Sequence, residues 1–237
     1  MSSEIQTAVI LEELGAFTSR ASHEMTGTLN QAATLLSLFL KRHPQPDEDD
    51  KALLGHLENA ARRMQGHICG LQTYLGFAAV PPHFQLVNAT VALGVCEKSL
   101  QPTIAETGAR IISGALPEVL ADPLQFHTLL CELIGNALKF RKPLEPPVVK
   151  VKAEREGHFW VFTITDNGLG MEQSMADEAL LPFRRFNGRE FSGSGLGLAT
   201  AQLIMRLHGG GLALASGVGA GTAVSFTIRA FTPELAA

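Results

Sequence analysis

The 237-residue sequence is poor in cysteine: Cys69, Cys96 and Cys131 are its full complement. They stand far apart with no CxxC pair, which argues against a disulfide framework and against a zinc site. An odd count suits a reducing compartment, and each cysteine reads most simply as a small buried apolar residue. Long apolar runs are lacking too. None reaches the ~20 residues that a spanning helix needs. The N-terminus, MSSEIQTAVILEEL, has no basic segment ahead of its short apolar run, so no secretory leader is expected. Basic surplus is also missing: 19 Lys and Arg face 23 Asp and Glu, a net charge of −4. That removes the electrostatic case for nucleic acid or an anionic membrane as the main partner. Internal repeats and low-complexity tracts are absent, and a cytoplasmic protein is expected.

What remains is an ordinary globular mixture, 46% apolar and 18% charged, long enough for one large domain or two small ones. Residues 4–42 carry apolar side chains at helical spacing (Ile10, Leu14, Phe17, Ala21, Met25, Leu29, Leu36, Phe39) and predict one long helix. The polar, proline-bearing stretch His43–Asp50 predicts a loop. A second long helix is expected from about Lys51 to Phe77, with Leu54, Leu57, Ala61, Met64, Ile68, Leu71 and Leu75 as its stripe. Two such helices make an antiparallel hairpin that cannot bury its wide apolar face alone. Pairing of two copies into a four-helix bundle, hence a homodimer, is the simplest remedy.

Pro81-Pro82 marks a domain boundary, giving a helical domain over 1–80 and a mixed domain over 81–237. In the latter, strands are expected near 84–87, 110–113, 119–121, 148–154 and 159–165. Helices are expected over 89–107, from Asp122 (cap) and Pro123 to about Phe140, and from about Gly195 to Leu207. Strands near 211–215 and 223–229 close the chain. The fold class is α+β: a helical hairpin followed by an α/β sandwich with helices on one face of a mixed sheet.

Four segments of the second domain carry chemistry. In Glu132-Leu-Ile-Gly-Asn136-Ala-Leu-Lys139-Phe140, helical spacing puts Glu132, Asn136 and Lys139 on one face. A carboxylate, an amide oxygen and an ammonium suit a hydrated Mg²⁺ carrying phosphates, although a polar outer face has the same pattern. Asp166-Asn167-Gly168-Leu169-Gly170 follows a strand. It reads as a turn, or as a carboxylate placed to accept a hydrogen bond from an adenine amino group. Gly193-Ser194-Gly195-Leu196-Gly197 opens a helix, where backbone amides cradle phosphate. A dinucleotide fingerprint fails here, because no strand precedes it and Leu198 stands where a third glycine belongs. Pro182-Phe183-Arg184-Arg185-Phe186 lies between the glycine runs.

In order and spacing these segments resemble the asparagine, glycine and phenylalanine boxes of sensor histidine kinases and the wider ATPases that share their nucleotide fold. RRFNGREFSGSGLGLA is similar to the phytochrome type, and the resemblance covers nearly all of the chain. It implies ATP and Mg²⁺ as cofactors, Asn136 as a metal ligand supported by Glu132, Asp166 on adenine, and Lys139 on phosphate. It implies further nucleotide contacts at Gly168, Gly170, Phe183, Arg185, Gly193, Ser194, Gly195, Leu196 and Gly197. Glu132 replaces the asparagine common at its position, so water activation is also open to it.

Among eight histidines, His23 stands in FTSRASHEM, which resembles the family's phosphoacceptor box. The resemblance implies that His23 attacks the γ-phosphoryl group while Glu24 steadies the imidazole. It also implies a response-regulator receiver domain as the acceptor of the phosphoryl group. Gly27 and Thr28 depart from the usual box, where a Thr or Asn and then a Pro are common, and this puts phosphatase activity in doubt. Two rival readings stand beside the kinase: a dimeric phosphotransfer or scaffold protein, and an ATPase of the same fold. With few residues ahead of His23, input from a separate sensor protein, or a chain that is part of a longer one, is expected.

Overall fold

The computed structural model describes residues 25–27, 31, 32, 34, 35, 37–39, 41, 48–176, 178–184 and 194–230. They fall into two compact units. In the helical unit, every described residue from 25 to 41 is helical, and a 32-residue helix, α1, spans Glu48–Ala79. Helix α1 begins three residues earlier than the sequence pattern suggests. The helix takes up, in its first turn at Glu48–Asp50, the end of the stretch expected as a loop. It stops ahead of Pro81-Pro82, since the residue before a proline disfavours helical geometry. The apolar stripe of α1 divides: Leu54 and Ile68 are buried, whereas Leu57 and Met64 are exposed. Met25, Leu35, Leu38 and Phe39 are exposed as well.

The mixed unit contains β1 (Gln85–Asn88), α2 (Ala89–Thr107), β2 (Arg110–Ser113), β3 (Glu118–Ala121), α3 (Pro123–Lys139), β4 (Val148–Glu156), β5 (Phe159–Asp166), α4 (Gly197–Leu207), β6 (Leu212–Gly217) and β7 (Gly221–Arg229). Single 3₁₀ turns occur at Gln173–Met175 and Glu178–Leu180. Five strands form a sheet in the order β2-β4-β5-β7-β6. Among the described residues only β2 and β4 pair in parallel, through the crossover that α3 makes possible; the other pairs of this sheet are antiparallel. A two-stranded ribbon, β1 with β3, completes the unit.

Strand alternation sends Val149, Val151, Phe162, Ile164, Val224, Phe226 and Ile228 to one buried face, while Lys150 and Lys152 point to solvent. Helix α3 lies against that face and touches both α2 and α4. Its stripe Phe126, Leu129, Leu130, Leu133, Ile134 and Leu138 is buried. At the centre, the cross-strand partners Phe162 and Phe226 stack at 4.9 Å, and Phe126 meets both edge-on at 5.9 and 6.4 Å. Such arrangements contribute beyond the area they bury.

Most boundaries lie within two residues of their sequence positions. Helix α4 starts at Gly197 rather than Gly195 because Gly195 has φ +71° and Ser194 Oγ accepts the Leu196 N–H at 3.2 Å. Both features make a turn, not a helix.

A buried histidine ties α4 to α3. Asp122 caps α3, its Oδ1 accepting from Gln125 N, while its Oδ2 accepts from His83 N. The Asp122 N–H donates to His208 Nε2 at 3.1 Å, and His208 Nδ1 lies 2.8 Å from the Ile204 carbonyl. With Nε2 accepting, Nδ1 must donate, so the neutral tautomer is fixed. Phe84 stacks edge-on against the ring at 5.1 Å. Burial pushes the His208 pKa down, with the Ile204 carbonyl and the Asp122 charge opposing. A depressed imidazole pKa contributes stability that is complete above the unfolded value of about 6.5 and is lost as pH falls below it. The urea midpoint of the protein will therefore fall between about pH 7.5 and about pH 5, and His208→Gln will flatten that slope. An equal slope in the variant would refute the assignment.

Candidate functional site

Helix α3 presents Glu132 and Asn136 one turn apart, both half-buried. They converge on Gly197, the first residue of α4. A Cβ built at Gly197 would collide with Glu132 Oε2 and come within 3.5 Å of Asn136 Nδ2. Glycine at this position thus brings the backbone of a helix N-terminus against a carboxylate and an amide. Unsatisfied N–H groups and the positive end of the helix dipole meet there. Burial raises the Glu132 pKa, and the Lys139 charge offsets part of that rise. Lys139 Nζ also lies 4.5 Å from the Phe140 ring centroid.

Asp166 ends β5. Its Oδ1 accepts from Gly168 N at 2.8 Å and from Thr222 N at 3.1 Å. Burial raises the Asp166 pKa, and these two N–H donors pull it back. With Oδ1 held by two donors, the second oxygen keeps its acceptor capacity for a further partner. Asn167 closes the preceding turn, its Oδ1 accepting from Val148 N and its Nδ2 donating to the Pro146 carbonyl.

The loop after Asp166 is gripped from both sides. Leu169 N donates to the Phe140 carbonyl at the end of α3, and Gly219 N donates to the Leu169 carbonyl. Met171 N donates to Ser216 Oγ. Gly170 has φ +63°, and a Cβ there would strike the Gly217 carbonyl. The residue is glycine both for its left-handed conformation and for this approach. Gln173 adds two bonds to β6, through the Leu214 carbonyl and Ser216 N. The glycines of this loop thus serve the packing of one backbone on another, a role that the sequence pattern alone did not separate from contact with a ligand.

Phe183 is exposed and has φ +63°, the one non-glycine residue in that region among those described. Arg184 pairs with Glu178 at 3.8 Å on the surface, a contact of little energetic weight. Ser194, Gly195 and Leu196 group with the helical unit. There a Cβ at Gly70 would stand 2.8 Å from Ser194 Oγ. His23, Glu24, Arg185 and Gly193 lie outside the described residues. Ser216 and Gln173 were not singled out in the sequence, nor was Thr222 placed at Asp166. The Gly219–Thr222 turn was the available signal, because a turn that returns the chain beside β5 brings Thr222 N to Asp166.

Residues 121–231 match the family described as histidine kinase-, DNA gyrase B-, and HSP90-like ATPase. The mixed unit thus carries a domain similar to this class of ATPase. Among individual relatives, the chain is 34% identical to cyanobacterial phytochrome A of Nostoc sp. over 218 residues, 91% of this chain and 28% of that protein. It is 31% identical to phytochrome-like protein Cph1 of Synechocystis sp. over 221 residues, 91% of this chain and 29% of that one. The chain therefore spans less than a third of either relative. In structure it is similar to full-length ShkA in complex with AMPPNP, at 20% identity and a TM-score of 0.67, covering 92% of this chain and 47% of that one. It also resembles the histidine kinase AdeS of Acinetobacter baumannii, at 18% identity and a TM-score of 0.58, covering 85% and 96%. No helix among the described residues is long and apolar enough to cross a membrane.

The burial of Glu132 yields a pH-dependent prediction. A carboxylate whose folded pKa is raised is penalised in full above that pKa, and the penalty vanishes below the unfolded value. Glu132→Gln will therefore raise the melting temperature near neutral pH, and the gain will shrink toward about pH 4. Thermal unfolding across this range checks both halves.

Proposed function

We propose that the chain is an ATP-dependent protein-histidine kinase that binds ATP with Mg²⁺ and phosphorylates His23. The observation that carries the reading is the convergence of Glu132 and Asn136 on the N-terminus of α4. Hard oxygen donors stand beside backbone amides and the positive end of a helix, a combination that suits phosphates carried by a divalent cation. Asn136 and Glu132 would hold Mg²⁺, whose chemistry is to neutralise charge on the phosphate oxygens. Lys139 would hold a phosphate oxygen. Asp166 would orient adenine through its second oxygen, because an acceptor already fixed by two backbone donors costs little reorganisation on binding.

His23 is assigned from its sequence setting. One imidazole nitrogen would attack the phosphoryl group while Glu24 accepts a hydrogen bond from the other. An aspartate of a response-regulator receiver domain would take the phosphoryl group onward. The exposed apolar residues Leu35, Leu38, Phe39, Leu57 and Met64 support a homodimer through the helical unit, the domain over residues 1–80. A separate sensor protein, or further segments of a longer chain, would supply the signal.

A second reading has one observation in its favour. The raised pKa of Glu132 makes it a better general base near neutral pH, which suits activation of water and hence ATP hydrolysis.

The full chain incubated with γ-labelled ATP and Mg²⁺ will acquire acid-labile, alkali-stable label. His23→Ala will abolish it, and Asn136→Ala will lower it by about two orders of magnitude or more. Label that persists in His23→Ala would overturn the phosphoacceptor. Release of free phosphate that survives His23→Ala while no label forms would favour the hydrolytic reading.

A further inference from the structure

One hydroxyl stands where the two backbone segments that hold Asp166 meet. Ser216 lies on β6, an edge strand of the sheet, and is the cross-strand partner of Thr222 on β7. Its Oγ accepts from Met171 N at 3.0 Å, on the loop that follows Asp166. The same Oγ lies 3.1 Å from the Gly221 carbonyl and 2.9 Å from Thr222 Oγ1. A carbonyl can only accept, so the single Ser216 proton goes to Gly221, and the Thr222 hydroxyl must donate to Ser216. The Ser216 hydroxyl then has its donor and both of its lone pairs in use. Each segment it joins also reaches the carboxylate: Thr222 N and Gly168 N both donate to Asp166 Oδ1. Gln173, further along the loop, fastens the Ser216 backbone, its Oε1 accepting from Ser216 N and its Nε2 donating to the Leu214 carbonyl. Loop and hairpin are thus joined at the backbone through Gln173 and at the side chain through Ser216.

We propose that Ser216 is a positioning residue for recognition of the nucleotide base: its hydroxyl sets the direction in which the second oxygen of Asp166 accepts. The inference rests on the assignment of that oxygen to the adenine amino group. A hydrogen bond weakens steeply as its angle departs from linear, so the orientation of the carboxylate decides what the contact contributes. Without the hydroxyl, Met171 N and the Thr222 hydroxyl lose their common acceptor, and the Gly221 carbonyl loses a donor. The loop and the turn can then shift apart. The Asp166 carboxylate, held by one N–H from each, turns with them. The loss falls on the contact to the base. It spares the phosphate end of the site, which α3 and the first residue of α4 build through Glu132, Asn136 and Gly197.

The test measures, by titration calorimetry on the full chain with Mg²⁺, the binding of ATP and of purine riboside triphosphate, which is ATP without its amino group. The unaltered protein will favour ATP by about tenfold or more, the ordinary weight of a hydrogen bond to a charged group. In Ser216→Ala this preference will fall severalfold while affinity for the purine compound is unchanged. Ser216→Thr, which keeps the hydroxyl on a residue suited to a strand, will retain the preference, and Ser216→Val, of the same shape without it, will not. The Thr and Val variants decide the matter even where Ser216→Ala fails to fold. Asp166→Asn keeps one oxygen for the two backbone donors and turns an amide N–H toward the base, so it will abolish the preference. If Asp166→Asn abolishes it but Ser216→Val retains it, or if Ser216→Val weakens both nucleotides equally, Ser216 has no positioning role and the proposal fails alone. A preference that survives Asp166→Asn would refute the adenine assignment, and this inference with it.

Discussion

Asp166 Oδ1 accepts two backbone N–H groups from opposite sides of its strand end, Gly168 on its own loop and Thr222 at the start of β7. Much of the site depends on this one oxygen. It fixes where β5 stops, holds the following loop in a turn, and joins that turn to the β6–β7 hairpin. A charged acceptor with two short donors is strong enough to persist where burial disfavours the charge. The loop it holds then crosses to α3, where Leu169 N reaches the Phe140 carbonyl. Gly170 completes the contact because no side chain can stand where its Cβ would meet the Gly217 carbonyl. The end of α3, the loop and the hairpin thus share hydrogen bonds and cannot move independently.

Two ionisable clusters in the same unit differ in their accounting. Around His208 each polar atom has its partner: Nε2 accepts, Nδ1 donates, and the Asp122 oxygens accept from Gln125 and His83. That cluster serves the fold, because it closes the joint between the end of α4 and the start of α3. Glu132 and Asp166 are instead held with raised pKa values by burial, and their compensation within the chain is partial. Half-buried carboxylates whose desolvation is only partly offset are more typical of a binding site than of a structural network. The contrast separates the two clusters on physical grounds, without reference to any relative.

The elements of the mixed unit were legible because local signals agreed with tertiary demands. Asp122 and Pro123 marked the start of α3 correctly, since a capping carboxylate and a proline at the first turn act through local geometry alone. The alternation in β4 and β5 gave their buried faces for the same reason. The limits appear where a contact joins distant segments. That Gly197 seats Glu132 and that Thr222 clamps Asp166 depend on how helices and strands pack. No spacing in the sequence encodes these contacts. The start of α4 was misplaced by two residues because Gly195 belongs to a turn whose left-handed backbone the glycine pattern signals only ambiguously.

Burial also divides the two units. In the mixed unit, α3 covers a sheet face whose Phe126, Phe162 and Phe226 reach complete burial. In the helical unit, Leu35, Leu53, Leu57 and Met64 each remain at least half exposed. Isolated exposed leucines need no explanation, but a helix that leaves part of its apolar stripe in solvent forgoes some of the burial that normally holds a long helix in place. Propensity alone does not replace it, because α1 holds four glycines, Gly55, Gly66, Gly70 and Gly76, each costing about 1 kcal/mol against alanine in a helix interior. A helix of this composition needs a covering surface. In the proposed dimer a second copy would supply one, by symmetry and without any further component.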